Sequence, residues 1–236
     1  MKAIPSQSYK EGVTTMNLKQ SDLRSAIIGM VIGDGCLTLR ERRLNANFQC
    51  SHSEKQKEYI EWKQKILSNI TGSVINPTTK KMNGKIFTGY HLSTRQHPIF
   101  TRLHSRFYHK GHKVLDEYLV KQIDELAFSI LFMDDGCFGK HHSGGKDSFF
   151  LCTQSFDYSN QILLAKSLKI KFGLDWNINK AEKSKDGTYN YRLRLASRHN
   201  EEFLKIVNPY VSLLNCMKYK LGSDANTSKK LDGDIV

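Results

Sequence analysis

The chain has 236 residues, 39% of them hydrophobic and 10% aromatic, enough to bury a core as one large domain or two small ones. Its 36 Lys and Arg against 23 acids leave a net charge of +13 that is spread along the sequence, a field that favours a polyanion such as nucleic acid. No apolar run is long enough to cross a bilayer, and the polar segment Met1–Gln20 lacks the apolar centre of a signal peptide, so a soluble, unexported protein is expected.

Ser21 or Asp22 is placed to cap a first helix that runs through Ile32 and ends at Asp34-Gly35. Its stretch Ile27–Gly35 is apolar on every side, which predicts burial, and Gly29 and Gly33 lie on one face, which predicts close approach of another helix. Cys36–Arg40 and Asn45–Ser51 then alternate around the turn Glu41-Arg42-Arg43 and read as a hairpin with one wet face. Glu54–Ile70 is an amphipathic helix. A second hairpin pairs Val74–Thr79 with Ile86–Ser93 around a turn of three lysines, Lys80–Lys85, and Pro98 opens a helix through Phe107.

His109–Lys121 bridges to a second apolar run, Leu126–Gly136, which again closes on Asp-Gly and is again followed by a cysteine. The same order of elements returns after it. Phe138–Lys140 and Ser148–Thr153 flank a loop, Tyr158–Phe172 is a helix, Trp176–Asn179 and Tyr189–Ala196 flank the basic turn Lys180–Gly187, and Glu201–Val207 is the closing helix. Phe48–Ser53 is matched to Phe150–Ser155, and Leu92–Arg95 to Leu195–Arg198. The sequence therefore predicts an α+β fold of two pseudo-symmetric αββαββα repeats, residues 21–112 and 113–221, between an N-terminal arm (1–20) and a tail (222–236). The apolar helices of the two repeats are expected to pack on each other.

That packing brings Asp34 and Asp135 together at one end of the seam. A single Asp-Gly is an ordinary turn, but two close carboxylates repel, and a divalent cation with a preference for oxygen, Mg²⁺ or Ca²⁺, relieves them. Such cations suit hydrolysis of a phosphodiester, and two symmetric acids suit one cut per strand of a duplex. The hairpins suit the major groove, each half covering about one helical turn, for a site on the order of 20 base pairs. The five cysteines form no CxxC and read as free thiols; a zinc site from Cys137, His141, His142 and Cys152 has poor ligand spacing.

The paired runs ending in Asp34-Gly35 and Asp135-Gly136 resemble those of the LAGLIDADG homing endonucleases, in the monomeric, double-motif class. The resemblance implies sheets that straddle double-stranded DNA, hydrolysis that leaves short 3′ cohesive ends at a long asymmetric target, and mobility of a host intron or intein. Mg²⁺ is the implied cofactor, with Ca²⁺ or Mn²⁺ substituting. By the same resemblance Asp34 and Asp135 bind the metals, Gly33 and Asp134 add backbone carbonyls, His52 and Gln154 order water, and Lys113 and Lys220 stabilise phosphate charge. Asp134 stands where the family places a small residue, and His52 where it often places Gln, which makes the halves chemically unequal. For readout of DNA the strand faces offer Arg40, Arg42, Asn47, Gln49, Lys80, Lys85 and His91, then Lys140, Lys146, Lys183, Lys185, Tyr189, Arg192 and Arg194. The rival reading is an RNA-binding maturase that assists splicing of its intron on the same fold; retention of both acids and both lysines favours the nuclease. Mitochondrion, chloroplast and bacterial or phage cytoplasm are equally compatible homes.

Overall fold

A computed structural model describes residues 19–140, 147–183, 187 and 189–222. Helix α1 (Gln20–Ile32) begins one residue before Ser21, so Ser21 and Asp22 lie inside its first turn and neither side chain caps it. It leads into β1 (Cys36–Thr38), β2 (Asn47–Ser53), α2 (Lys57–Ser68), β3 (Ser73–Met82), β4 (Lys85–Thr94) and α3 (Pro98–Phe107). A small hairpin, β5 (Tyr108–His109) and β6 (His112–Lys113), and the short α4 (Glu117–Lys121) connect to α5 (Glu125–Asp135). Then follow β7 (Gly136–Gly139), β8 (Ser148–Leu151), α6 (Tyr158–Phe172), β9 (Trp176–Lys183), β10 (Tyr189–Leu195) and α7 (Asn200–Val211), and a 3₁₀ segment, Asn215–Leu221, closes the described chain. The division expected between residues 112 and 113 falls inside β6.

The two four-stranded sheets have the same plan, β1-β2-β4-β3 and β7-β8-β10-β9, and all their pairings are antiparallel. The α+β architecture with a repeated αββαββα order is therefore the fold. The β3–β4 hairpin is longer than expected. Asn83 and Gly84 both take positive φ (50° and 75°), the two-residue turn that matches strand twist, so Lys80 and Lys85 stand on strands rather than in a broad turn. In the second half β9 likewise runs on to Lys183.

Burial follows the hydropathy pattern. On α1 the residues from Ala26 to Ile32 are all buried, as are those from Leu126 to Met133 on α5. Both helices thus form the centre of the molecule, and each sheet closes against them with one face: Phe48, Cys50 and Leu92 in the first half, Phe149, Leu151, Leu193 and Leu195 in the second. An aromatic cluster of Phe128, Phe132, Phe149 and Phe203, with ring centroids 4.8–5.9 Å apart, ties α5, β8 and α7 together. The opposite sheet faces are more open to solvent, although Asn47 and Ser148 on them are buried.

Candidate active site

Small residues set the distance between α1 and α5. A Cβ on Gly29 would stand 2.4 Å from the Ala127 carbonyl oxygen, and one on Gly33 would stand 2.5 Å from Asp134 Cβ. Both glycines are therefore needed for contact, and the helices run to the same end, where the Asp34 amide donates to Asp134 Oδ2 at 3.2 Å. Gly33 makes room for the Asp134 side chain, so an acid is accommodated at a position expected to be small.

Asp34 and Asp135 sit at this end, one just beyond α1 and one as the last residue of α5. The Asp34 carboxyl is pushed up, first by burial and then by the charge of Asp134, although its side chain is 43% exposed. Asp135 is pushed up to about 7, by burial and then by Asp34 and Asp134. Two lysines stand over the helix ends. Lys113, on β6, donates to the carbonyls of Val31 (2.7 Å), Gly33 (3.2 Å) and Gly35 (3.2 Å). Lys220, 6% exposed on the 3₁₀ segment, donates to the Asp134 carbonyl at 2.9 Å. Burial lowers the pKa of both, against the pull of the acids. The Gly33 and Asp134 carbonyls are thus at the site, each held by one lysine.

Beneath Asp34 lies a second, buried cluster. Lys63 of α2 and the carboxylate of Asp134 are both fully buried, and Nζ donates to Oδ1 and Oδ2 at 2.7 and 2.9 Å. The Tyr59 hydroxyl donates to Oδ1 at 2.7 Å, and Lys63 also reaches His52 Nε2 at 2.9 Å. The other ring nitrogen of His52 faces Asp34 Oδ2 at 3.8 Å. Ligand-capable atoms of Asp34, His52 and Asp134 all lie within 4.8 Å of one another.

The comparisons with known proteins bear on this arrangement. Residues 24–203 match the model of the LAGLIDADG DNA endonuclease family. The chain belongs to that family. It is similar over 94% of its length to a solved structure of the homing endonuclease I-WcaI bound to its DNA recognition sequence, with a TM-score of 0.74, 25% identity and 95% of that chain covered. It is 24% identical over 222 residues to DNA endonuclease I-ChuI of Chlamydomonas applanata, covering 90% of this chain and 98% of that protein. It is also 27% identical over 206 residues to a protein RecA of Mycobacterium gastri, covering 83% of this chain; it spans about half the length of such relatives, 46% in that case.

The strand register relates the two LAGLIDADG halves differently from the sequence matches, by one residue at Phe48–Ser53 and by two at Leu92–Arg95, where Leu92 corresponds to Leu193. Cys36 pairs with Gln49 and Cys137 with Phe150, so Phe48 corresponds to Phe149, and His52 corresponds to Thr153, not Gln154. Thr153 is buried, its hydroxyl bonded to Gln161 at 3.1 Å, whereas Gln154 is exposed in the turn beyond. The separation that relates Asp34 to Asp135 now holds from the helix through the strands.

Of the residues expected to read DNA, Asn47, Gln49, Lys80, Lys85 and His91 share the outer face of the first sheet by their pairing. Asn47 bonds Ser93 Oγ at 3.3 Å and His91 bonds Ser51 Oγ at 2.9 Å. Arg40 and Arg42 are exposed in the β1–β2 connection, and Arg42 has a positive φ of 62°. Arg192 and Arg194 share the outer face of the second sheet with Phe150, and Arg192 stacks on that ring at 4.3 Å. Arg192 Nε is buried without an acceptor among the described residues, while Arg194 is held by Ser148 Oγ at 2.9 Å. The Tyr189 ring lies under Lys180 and Lys183, at 4.5 and 4.9 Å, and Lys140 is exposed after β7. Lys146 and Lys185 lie outside the described residues, as do His141 and His142 of the alternative zinc set; Cys137 and Cys152 have their sulfurs 4.0 Å apart.

Sequence reasoning missed Lys63 and Tyr59, treated only as parts of an amphipathic face. One signal was available. A lysine on the apolar stripe Tyr59, Ile60, Ile66, Leu67 needs a buried counter-charge, and Asp134 is the acid inside the buried run.

Proposed function

We propose that the chain is a site-specific double-strand DNA homing endonuclease, acting as a monomer through divalent cations held between Asp34 and Asp135 and favouring movement of its host intron or intein. The observation that carries this reading is the meeting of those two acids at one end of the α1–α5 seam, each under its own lysine. The donor set suits a hard cation. Carboxylates and backbone carbonyls are the ligands Mg²⁺ takes, with Ca²⁺ or Mn²⁺ able to replace it, and Asp135, raised to about 7 by burial and then by the charges of Asp34 and Asp134, stands where a cation would relieve the repulsion.

Asp34 and Asp135, with the carbonyls of Gly33 and Asp134, would hold the metals. Bound there, Mg²⁺ supplies Lewis-acid stabilisation of phosphate charge and a more acidic water. The chain's own groups do the rest. Lys113 and Lys220 present ammonium groups beside the acids, where the charge that develops on a phosphate is stabilised. His52 orders water at Asp34, and in the second half the exposed Gln154 amide serves, since Thr153 is tied to Gln161. Double-stranded DNA lies across the outer sheet faces, with Arg192 and Arg194 toward base edges or phosphates.

The test uses a supercoiled plasmid that carries, joined together, the DNA sequences flanking the reading frame. Mg²⁺ should convert it to linear form, EDTA should prevent this, and Asp34→Asn or Asp135→Asn should each slow cutting by at least about 100-fold. An intact plasmid to which the unaltered protein binds, with faster splicing of the host RNA, refutes the nuclease in favour of a maturase.

A further inference from the structure

The cluster beneath Asp34 has no counterpart among the described residues of the other half, and its donors and acceptors decide a point of chemistry. An ammonium group can only donate hydrogen bonds. Lys63 gives two contacts to Asp134, at 2.7 and 2.9 Å, and directs another to His52 Nε2 at 2.9 Å. Nε2 is therefore an acceptor, and the proton of the neutral ring sits on Nδ1. Nδ1 is the nitrogen turned toward Asp34 Oδ2, 3.8 Å away. Tyr59 fixes the set from a third side: its hydroxyl donates to Asp134 at 2.7 Å, and its ring lies 4.9 Å from the imidazole and 4.4 Å from the ammonium.

We infer that Lys63 is a positioning residue, which through Nε2 holds His52 as the Nδ1–H tautomer and so gives Asp34, or a water on it, a hydrogen-bond donor rather than a base. The positions equivalent to His52, Lys63 and Tyr59 hold Thr153, Leu164 and Asn160 in the second half, and the position equivalent to Asp134 holds Gly33 in the first. One phosphate site therefore has an oriented imidazole donor and the other has none. The two strands of a duplex meet different chemistry because of a side chain that touches neither.

The tautomer is measured directly by long-range ¹H–¹⁵N NMR of the imidazole rings at neutral pH, with the His52 signals assigned by their loss in His52→Gln. The unaltered protein should show Nδ1–H. Lys63→Met alone strands the buried Asp134 charge and threatens folding, so Lys63→Met/Asp134→Ala, which removes both charges and keeps a Cβ at residue 134, is the deciding variant. It should release the tautomer to a mixture. The strand-cleavage arm rests on the nuclease reading above. On the flank-bearing plasmid the double variant should slow the nick at the His52 site at least about 10-fold more than the other nick, in kcat with KM unchanged. Added to His52→Gln, it should slow that nick no further. An Nε2–H ring in the unaltered protein, a tautomer unmoved by the double variant, or equal slowing of both nicks overturns the inference. A protein that does not cut the plasmid at all refutes the nuclease reading, while the NMR measurement still decides the tautomer.

Discussion

Replacing Asp135 by Asn should stabilise the cation-free protein at about pH 8 and leave it nearly unchanged at about pH 4. Burial, with the charges of Asp34 and Asp134, raises this carboxyl from 3.8 to about 7. The folded state then holds the proton more tightly than the unfolded chain does. Stability is accordingly lost as pH rises from about 4 to about 7, and the loss is complete above that window. A shift of this size corresponds to at most about 4 kcal/mol. The side chain is only partly buried, and solvent screening reduces the expected figure to about 2 kcal/mol. Asn keeps the shape and removes the charge. In EDTA at about pH 8 the variant should melt about 4–8 °C above the unaltered protein, a difference that closes as the buffer is brought to about pH 4. Mg²⁺ should raise the melting temperature of the unaltered protein at pH 8 and raise that of the variant much less, because binding to the folded state alone adds stability. Equal or lower stability of the variant in EDTA at pH 8, or a difference that does not change with pH, would refute the reasoning.

Gly29→Ala should cost about 1–3 kcal/mol in urea unfolding, because its Cβ meets the Ala127 carbonyl at 2.4 Å and the helices must part. Lys113→Met should destabilise by about 2 kcal/mol and Lys220→Met by about 1, since the first leaves the Val31, Gly33 and Gly35 carbonyls without their donor and the second only that of Asp134; equal losses by calorimetry would contradict this. Arg192→Ala should reduce the slope of log affinity against log salt by about one, in DNA titrations at several ionic strengths, if its guanidinium meets phosphate.

The centre of the molecule was legible because it is written in short-range terms. Apolar runs without a polar face, glycines on one face and an acid at the end are each visible within nine residues, and Ile27–Gly35 says as much alone. Pro98 at the start of α3 was equally plain. The register of β8 was not. Phe149 and Phe150 are adjacent aromatics, and either aligns with Phe48; only packing against Phe132 and Phe203 assigns Phe149 to the core and moves Thr153 into the place of His52. The length of the β3–β4 hairpin was hidden for another reason. Lysines suggested a turn, but on a strand with an outer face in water they are at no disadvantage, and the Asn83-Gly84 pair sets the reversal. The Lys63–Asp134 pair is a long-range contact whose two ends each look like a local anomaly.

That pair also records what duplication did to the interface. Two identical halves would once have met through a self-complementary seam, so that either could serve as partner for the other or for its own copy. Now the lysine is on one half and the acid on the other. Two first halves would bury a Lys63 against each Gly33, and two second halves would bury each Asp134 against Leu164. A buried charge without its partner costs several kcal/mol, so each mismatched assembly is penalised twice. The seam has acquired a polarity: it accepts the other half and rejects a copy of itself, which leaves each outer face free to diverge from the other.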